Sequence, residues 1–247
     1  MHVRVLWLVF TLAVGLGVIG EEAEAQLIID WESGPTMVSR SDIGVPGDVG
    51  TVYSAAEDAD LLFAQRIGIG AAIGERHIIT LSFAPYELET EGQFTQSVAF
   101  QETIFLPGET VRSIYELNLY RLSYHYQAIA TDRLHAGVGV AAQLRSARAA
   151  LTGADASVAE RAWGFRPLVS ARLRWRLFSL ASLRVDADAV RGPGERWGDV
   201  LVAVEVEPAE RFRFRAGYRL LEGRVDGDEF YNAALVHHFL VGMTLTL

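Results

Sequence analysis

The segment that most constrains the fold is 161–178, where large apolar and cationic side chains alternate. Successive side chains of a β-strand point to opposite faces. One face of this strand would carry Phe165, Pro167, Val169, Ala171, Leu173, Trp175 and Leu177, and the other Arg166, Ser170, Arg172, Arg174 and Arg176. In a membrane-spanning barrel the apolar face contacts lipid and the charged face lines the lumen. A soluble barrel would reverse the two faces, and alternation alone does not separate these cases.

The same two-residue pattern recurs along the chain and predicts ten strands, with eight or twelve as alternatives. The predicted strands are 27–41, 61–74, 77–88, 111–130, 134–153, 161–178, 183–190, 198–206, 211–223 and 231–247. In the strand 111–130 the alternation changes phase near Leu119 and Tyr120, which predicts a β-bulge there. With no linker or low-complexity tract in view, residues 26–247 are expected to form one domain.

The connections between these strands alternate in length. Short turns are predicted at 74–76, 131–133, 179–182 and 207–210, and longer loops at 42–60, 89–110, 154–160, 191–197 and 224–230. Short periplasmic turns and longer extracellular loops are typical of outer-membrane barrels, which also have an even number of strands. The segment 97–106 has strand-like composition, but one more membrane strand would break this parity. We therefore expect it to form a ribbon that projects above the membrane.

The N-terminal segment predicts export. Arg4 precedes the apolar run Leu6–Ile19, and Ala23-x-Ala25 fits a cleavage site, so residues 1–25 are predicted to be a signal peptide and Gln26 the mature start. An uncleaved anchor is the alternative, although the run is short for a transmembrane helix. No later stretch reaches the roughly 18 apolar residues of a spanning helix. Half of the chain is nevertheless hydrophobic, which suits many short membrane strands.

The segment 231–247, YNAALVHHFLVGMTLTL, has one large apolar face and ends in Leu247. It is similar to the C-terminal insertion signal of outer-membrane barrels, although those chains usually end in Phe. The segments 165–168 (FRPL), 217–223 (GYRLLEG) and 230–232 (FYN) add to this likeness. The chain therefore resembles bacterial outer-membrane β-barrel proteins, near the small OmpA-like and OmpW-like barrels. The resemblance implies a closed antiparallel up-and-down transmembrane β-barrel in the outer membrane.

The resemblance also implies partners. The strand 231–247 would be recognised by the barrel-assembly machinery, and the barrel would contact outer-membrane lipid and lipopolysaccharide. The predicted outer loops are acidic, so divalent cations could bridge them to the anionic lipopolysaccharide. The net charge of −9 argues against a nucleic-acid partner.

The predicted lumen carries a network of opposite charges from four strands. Its members are Arg172, Arg174, Arg176, Arg184, Asp186, Asp188, Asp199, Glu205, Arg213, Arg215 and Arg219. Buried charges must pair or stay hydrated, and the planar guanidinium of Arg binds carboxylates with two hydrogen bonds. The network would then be a charged plug that fills a narrow barrel, or the lining of a small anion-preferring pore.

Motifs that would indicate catalysis are weak. The chain has no cysteine, which excludes thiol chemistry, and no G-x-S-x-G sequence. His125 and His135 flank one short turn and could face each other, but a zinc site needs three or four ligands. We predict no catalytic residue, metal or cofactor, and a non-enzymatic barrel that is structural or a narrow pore. The alternatives are an outer-membrane enzyme that acts on lipid or peptide at the rim, and a soluble periplasmic lipid-binding barrel.

Overall fold

A computed structural model describes residues 25–56 and 61–247, and all of its regular elements are β-strands. They are β1 (Ala25–Gly44), β2 (Tyr53–Ser54), β3 (Leu62–Ile73), β4 (His77–Gln93), β5 (Val98–Phe100), β6 (Thr103–Phe105), β7 (Thr110–Ala130), β8 (Leu134–Thr152), β9 (Ser157–Arg176), β10 (Ala181–Gly192), β11 (Glu195–Ala209), β12 (Phe212–Asp226) and β13 (Tyr231–Thr246). Within these ranges no helix has the length and apolar character needed to cross a membrane. The predicted signal peptide lies outside the described residues, apart from Ala25.

Ten of the strands form a closed antiparallel ring. Their order is β1-β3-β4-β7-β8-β9-β10-β11-β12-β13, and β13 pairs back onto β1. That closing pair runs from Ile28 opposite Thr246 to Gly44 opposite Tyr231. In lipid every backbone N–H and C=O must find a partner, and closure removes the open edges of the sheet. The predicted fold class and the count of ten are confirmed.

The outer surface of the ring carries an apolar belt. Its most exposed side chains include Phe63, Ile67, Leu122, Val138, Val140, Phe165, Val169, Val204, Phe239 and Val241. The alternating positions are buried and polar: on β9, Val169 is 71% exposed whereas Arg166 is 1% exposed. Such a surface is stable against lipid and unstable against water. This finding favours the lipid-facing assignment over the soluble barrel with reversed faces.

Charged side chains replace the belt on the outer part of the wall. There the outward positions form ion pairs, with Arg112 2.6 Å from Glu89 and Arg148 2.6 Å from Glu116. The hydrogen bond from Arg112 lowers the pKa of the Glu89 carboxyl. The strands β4 and β7 therefore extend beyond the apolar belt into water.

The short turns and both ends of the ring lie at one end of the barrel, as the alternation of connection lengths predicts. The turn that follows β3 has three residues, and its Gly74 adopts a positive φ of 56° that favours glycine. By the usual orientation this end faces the periplasm. The predicted outer loops 154–160 and 191–197 are shorter than expected because β8 to β11 continue into them.

The predicted bulge near Leu119 and Tyr120 is wrong. The strand β7 pairs with β4 without interruption there, and its bulge lies between Gln127 and Ile129 instead. Leu119 is buried like Arg121 two residues later. What changes at this point is the polarity of the lumen, from charged to apolar, and not the phase of the strand.

The ribbon predicted at 97–106 lies outside the ring, but it does not project away from the barrel. The strands β5 and β6 form a hairpin whose side chains Val98, Phe100 and Phe105 are buried in the apolar cluster of the outer lumen. The backbone N–H of Ala99 donates to Oγ1 of Thr51 at 3.0 Å. We call the segment 98–105 the cap, because it covers the outer end of the barrel.

Two seams interrupt the wall near its outer end. The strand β3 pairs with β4 only from Ile67–Phe83 down to Ile73–His77. On the other side, β9 pairs with β10 only up to Val169 opposite Ala189. Above these points the four long strands β4, β7, β8 and β9 form one panel of the wall, and the other six strands form a second.

A charge in the belt should destabilise the barrel far more than one above it. Val169→Arg is expected to lower the free energy of unfolding by about 2–4 kcal/mol, the cost of Arg near the bilayer midplane. Ala159→Arg, on the same face of β9 but above the belt, should cost about 0–1 kcal/mol. Urea unfolding in lipid vesicles measures both. Equal losses would show that the belt does not contact lipid.

Candidate functional site

The lumen is divided into layers along the barrel axis. A cavity of about 790 Å³ occupies the periplasmic end and is lined by charged and hydroxyl side chains. A layer of ion pairs lies above it, and we call these residues the charge layer. They are Glu32, Arg66, Arg121, Asp199, Arg215 and Arg219. Above the charge layer the lumen is mainly apolar up to the cap, and Arg145 and Arg166 are buried among its apolar side chains.

Asp199 is the centre of the charge layer. It is 0% exposed, and its carboxylate accepts hydrogen bonds from Arg219 at 2.7 Å, Arg121 at 2.9 Å and Arg66 at 3.2 Å. These partners come from β12, β7 and β3, so the contact links strands on opposite sides of the ring. One carboxylate with three guanidiniums is a strongly charge-assisted arrangement.

Glu32 is the second carboxylate of the charge layer and offsets positive charge of the arginines that Asp199 alone does not neutralise. Its carboxylate accepts from Nη2 of Arg219 at 2.8 Å and from Nη2 of Arg215 at 2.9 Å. Arg215 also binds Asp30 at 2.7 Å. Because pairing and hydrogen bonding offset the desolvation of these buried ions, the set is stable only as a whole.

A second group of ion pairs lies nearer the periplasm. Arg184 binds Asp186 at 2.6 Å and Glu205 at 3.1 Å, and Arg174 lies 3.2 Å from Glu205. Arg174 also pairs with Glu207. These groups border the periplasmic cavity and are partly hydrated.

The predicted network separates into paired and unpaired members. Arg174, Arg184, Asp186, Asp188, Asp199, Glu205, Arg215 and Arg219 all take part in ion pairs. In contrast, Arg172, Arg176 and Arg213 line the cavity with no carboxylate of the described residues within 4.0 Å. The last three have no direct carboxylate partner, although the cavity lining as a whole contains eight arginines and eight carboxylates.

Sequence reasoning missed part of the charge layer. Glu32 and Arg66 of this layer lie on β1 and β3, and the sequence pattern did not assign them to the lumen. The same holds for Asp30, which pairs with Arg215. A signal was present, because Asp30 and Glu32 alternate with the outward Ile29 and Trp31. Arg121 has its partners Asp188 and Asp199 at 67 and 78 positions along the chain, a separation that strand alternation cannot reveal.

The histidines form no catalytic or metal centre in the described residues. His125 and His135 do not face each other, since His125 pairs with Gly139 and His135 with Ala130. His125 Nε2 and Ser170 Oγ are hydrogen-bonded at 2.6 Å, but both residues are buried and no described group holds the other ring nitrogen. A substrate has no access to this pair. No group of three or more His, Asp or Glu in ranges 25–56 and 61–247 could hold a metal ion.

The structure is similar to the crystal structure of the outer membrane protease OmpT from Escherichia coli. The TM-score is 0.56 with 9% identity, over 92% of this chain and 97% of that chain. The fold is that of an outer-membrane β-barrel. Ail of Yersinia pestis gives a TM-score of 0.40 with 8% identity, over 92% and 100% of the two chains. Neisserial surface protein A gives 0.36 with 13% identity, over 92% and 100%.

These likenesses concern the fold, at identities too low to transfer an activity. No protein-family model matches the sequence, and no curated protein matches it. The predicted resemblance to small outer-membrane barrels is confirmed, with OmpA-like and OmpW-like as approximate terms. A closed barrel with an exposed apolar belt belongs in the bacterial outer membrane, and the predicted location is confirmed.

Removing the central carboxylate should destabilise the barrel strongly. Asp199→Asn leaves Arg66, Arg121 and Arg219 around a neutral amide, and loss of one partner of a buried ion pair costs about 3–5 kcal/mol. The control Asp226→Asn breaks the exposed pair with Arg224, which is 3.0 Å long, and should cost about 0–1 kcal/mol. Urea unfolding in detergent micelles compares the two. A small loss for Asp199→Asn would mean that the charge layer contributes little.

Proposed function

We propose that this protein is a non-enzymatic structural barrel of the outer membrane whose lumen is plugged. The observation that carries the proposal is the charge layer, which crosses the lumen with Glu32, Asp199, Arg215 and Arg219 almost wholly buried. These side chains fill the space through which ions would have to pass. Small barrels are commonly filled by their own side chains in this way.

Two further features support a plug. The periplasmic cavity and the apolar cavity of the outer lumen have no lining residue in common. An ion that crossed would have to separate buried ion pairs and then enter an apolar region, and both steps are costly. The cap adds a third obstacle, since Phe100 and Phe105 are buried beneath the outer loops.

A narrow anion pore is the second candidate. It is favoured by Arg172, Arg176 and Arg213, which line the open cavity without a described carboxylate within 4.0 Å. Guanidiniums without a direct partner attract anions locally, although the charges of the whole cavity lining are balanced. Conduction would still require the charge layer to open.

We also propose that the barrel reaches the membrane by the usual export route. The signal peptide 1–25 would direct export, and the strand 231–247 would be recognised by the barrel-assembly machinery. Phe239 and Val241 of that strand are exposed in the belt, so the assembly machinery could contact them before the barrel enters the lipid bilayer. Lipopolysaccharide would surround the outer part of the wall, where Glu87, Glu89 and Glu91 are exposed.

Conductance in planar lipid bilayers distinguishes the plug from the pore. The plug predicts no stepwise conductance for the wild-type barrel in concentrated KCl. A variant with residues 97–106 replaced by a short Gly-Ser turn should stay silent, because the charge layer remains. A mobility shift on boiling confirms that each protein is folded.

Anion-selective steps from the wild-type barrel would overturn the plug and establish the pore. Steps from the cap-deleted variant alone would show that the cap, and not the charge layer, closes the lumen.

A further inference from the structure

A small apolar chamber lies above the charge layer, in the outer half of the lumen. Its volume is about 40 Å³, and its walls include Val38, Leu88, Leu117, Leu221 and Val236. A space of this size holds about three water molecules, or the head group of a small acid. Apolar walls alone would leave such a chamber empty.

The chamber also contains buried hydrogen-bond donors without partners. Nε of Arg145, Nε and Nη1 of Arg166, Nε1 of Trp197 and Oη of Tyr115 are all buried, and none has a hydrogen-bond partner in the described residues. The four residues line this one chamber. Buried polar groups are normally satisfied, so a group of orphan donors around a cavity indicates a missing acceptor.

The charge of the chamber is positive. Arg166 is 1% exposed and lies 2.8 Å from Glu195, and it also stacks on Trp197 at 4.5 Å. Arg145 is 5% exposed and has no described carboxylate within 4.0 Å. The remaining charged groups of the lining, Glu87 and Arg224, carry opposite charges. One buried guanidinium is therefore uncompensated, and an anion in the chamber would remove its large cost.

The backbone beside Arg145 is shaped to accept this guanidinium. Gly164 lies opposite Arg145 in the β8–β9 ladder, and a Cβ at Gly164 would stand 3.3 Å from both Nε and Nη2 of Arg145. Such a distance is tight, so glycine gives the guanidinium its space. The position of Arg145 is thus supported by the neighbouring strand.

A cleft in the wall adjoins the chamber and opens towards lipid. It lies at the seam between β3 and β4, has a volume of about 410 Å³, and shares Leu62, Tyr86 and Glu87 with the chamber lining. The apolar lining of the cleft is formed by Phe63, Ile67, Phe83 and Pro85, and Gln65, Glu116 and Asn118 add polar groups to it. Since Phe63 and Ile67 belong to the belt, the cleft opens on the lipid-facing surface.

We propose that the chamber and cleft bind a monocarboxylate with an apolar chain. The carboxylate accepts hydrogen bonds from Arg145, Arg166, Tyr115 and Trp197, and the chain lies in the cleft towards the outer leaflet. The charge of the chamber selects the head group, and the apolar cleft selects the chain. This binding site is separate from the plug and does not depend on whether the lumen conducts.

Titration with sodium octanoate tests the proposal. The mature barrel in lipid nanodiscs should bind octanoate saturably in calorimetry, whereas octanol and inorganic phosphate should bind much more weakly. Arg145→Gln should weaken octanoate binding about tenfold or more, the effect of losing a charge-assisted hydrogen bond. The control is Arg112→Gln on the outer surface of β7, where Arg112 pairs with Glu89 outside the chamber and the cleft. It should bind like the wild type.

A stability measurement distinguishes a variant that has lost the binding site from one that fails to fold. Without ligand, Arg145→Gln should unfold at a higher urea concentration than the wild type, because an unpaired buried charge is removed. Octanoate should raise the urea midpoint of the wild type and leave that of Arg145→Gln unchanged. If Arg145 had only a structural role, the urea midpoint of Arg145→Gln without ligand would be lower than that of the wild type.

The position of the head group is tested with 2-bromooctanoate as a fluorescence quencher, because its bromine is attached next to the carboxylate. Leu62→Trp adds bulk where the chamber and the cleft adjoin, and it should weaken octanoate binding while acetate binding is unaffected. Trp197→Phe should remove most of the quenching by the brominated acid. Equal binding of octanol and octanoate, equal binding by Arg145→Gln, or quenching that is unchanged in Trp197→Phe would each overturn the proposal.

Discussion

The constraint on which the structure depends is the need to pair every backbone N–H and C=O within lipid. A ring of strands meets it without an edge, and here the ring is completed by β1 and β13. Closure then forces each strand to have two different surroundings. The outward side chains must be apolar through the belt, and the inward side chains must fill a space only ten strands wide. The composition of the lumen follows from these two demands.

The inward side chains meet the second demand in different ways along the axis. Near the periplasm they are charged and hydrated, at Asp199 they are charged and dry, and around Leu117 they are apolar. Arg is suited to the dry layer because one guanidinium can bridge two carboxylates, as Arg219 does between Asp199 and Glu32. A Lys ammonium has no planar fork, and the chain contains no lysine. All cations of the charge layer are therefore arginines.

The ring, its strand number and its two faces could be predicted because each depends on local alternation. Segment 161–178 shows both faces without reference to any other strand. The pairing inside the lumen could not be predicted in this way. Arg66 and Asp199 are 133 positions apart and meet only because the ring closes. The position of the cap could not be predicted for a related reason. Its apolar residues pack against residues of the outer lumen that are distant in sequence, and alternation does not identify these partners.

The two seams give the barrel wall an uneven mechanical character. Above Ile67 on one side and Val169 on the other, no ladder hydrogen bonds between described residues join the panels of the wall. The outer rim is held together there by side chains, such as the contact of Arg166 with Glu195, and by the cap. Such contacts can loosen and reform without breaking the sheet. The periplasmic half is held by a continuous ladder of backbone hydrogen bonds. In the outer half the spacing of the two panels depends on the side chains and the cap that lie between them.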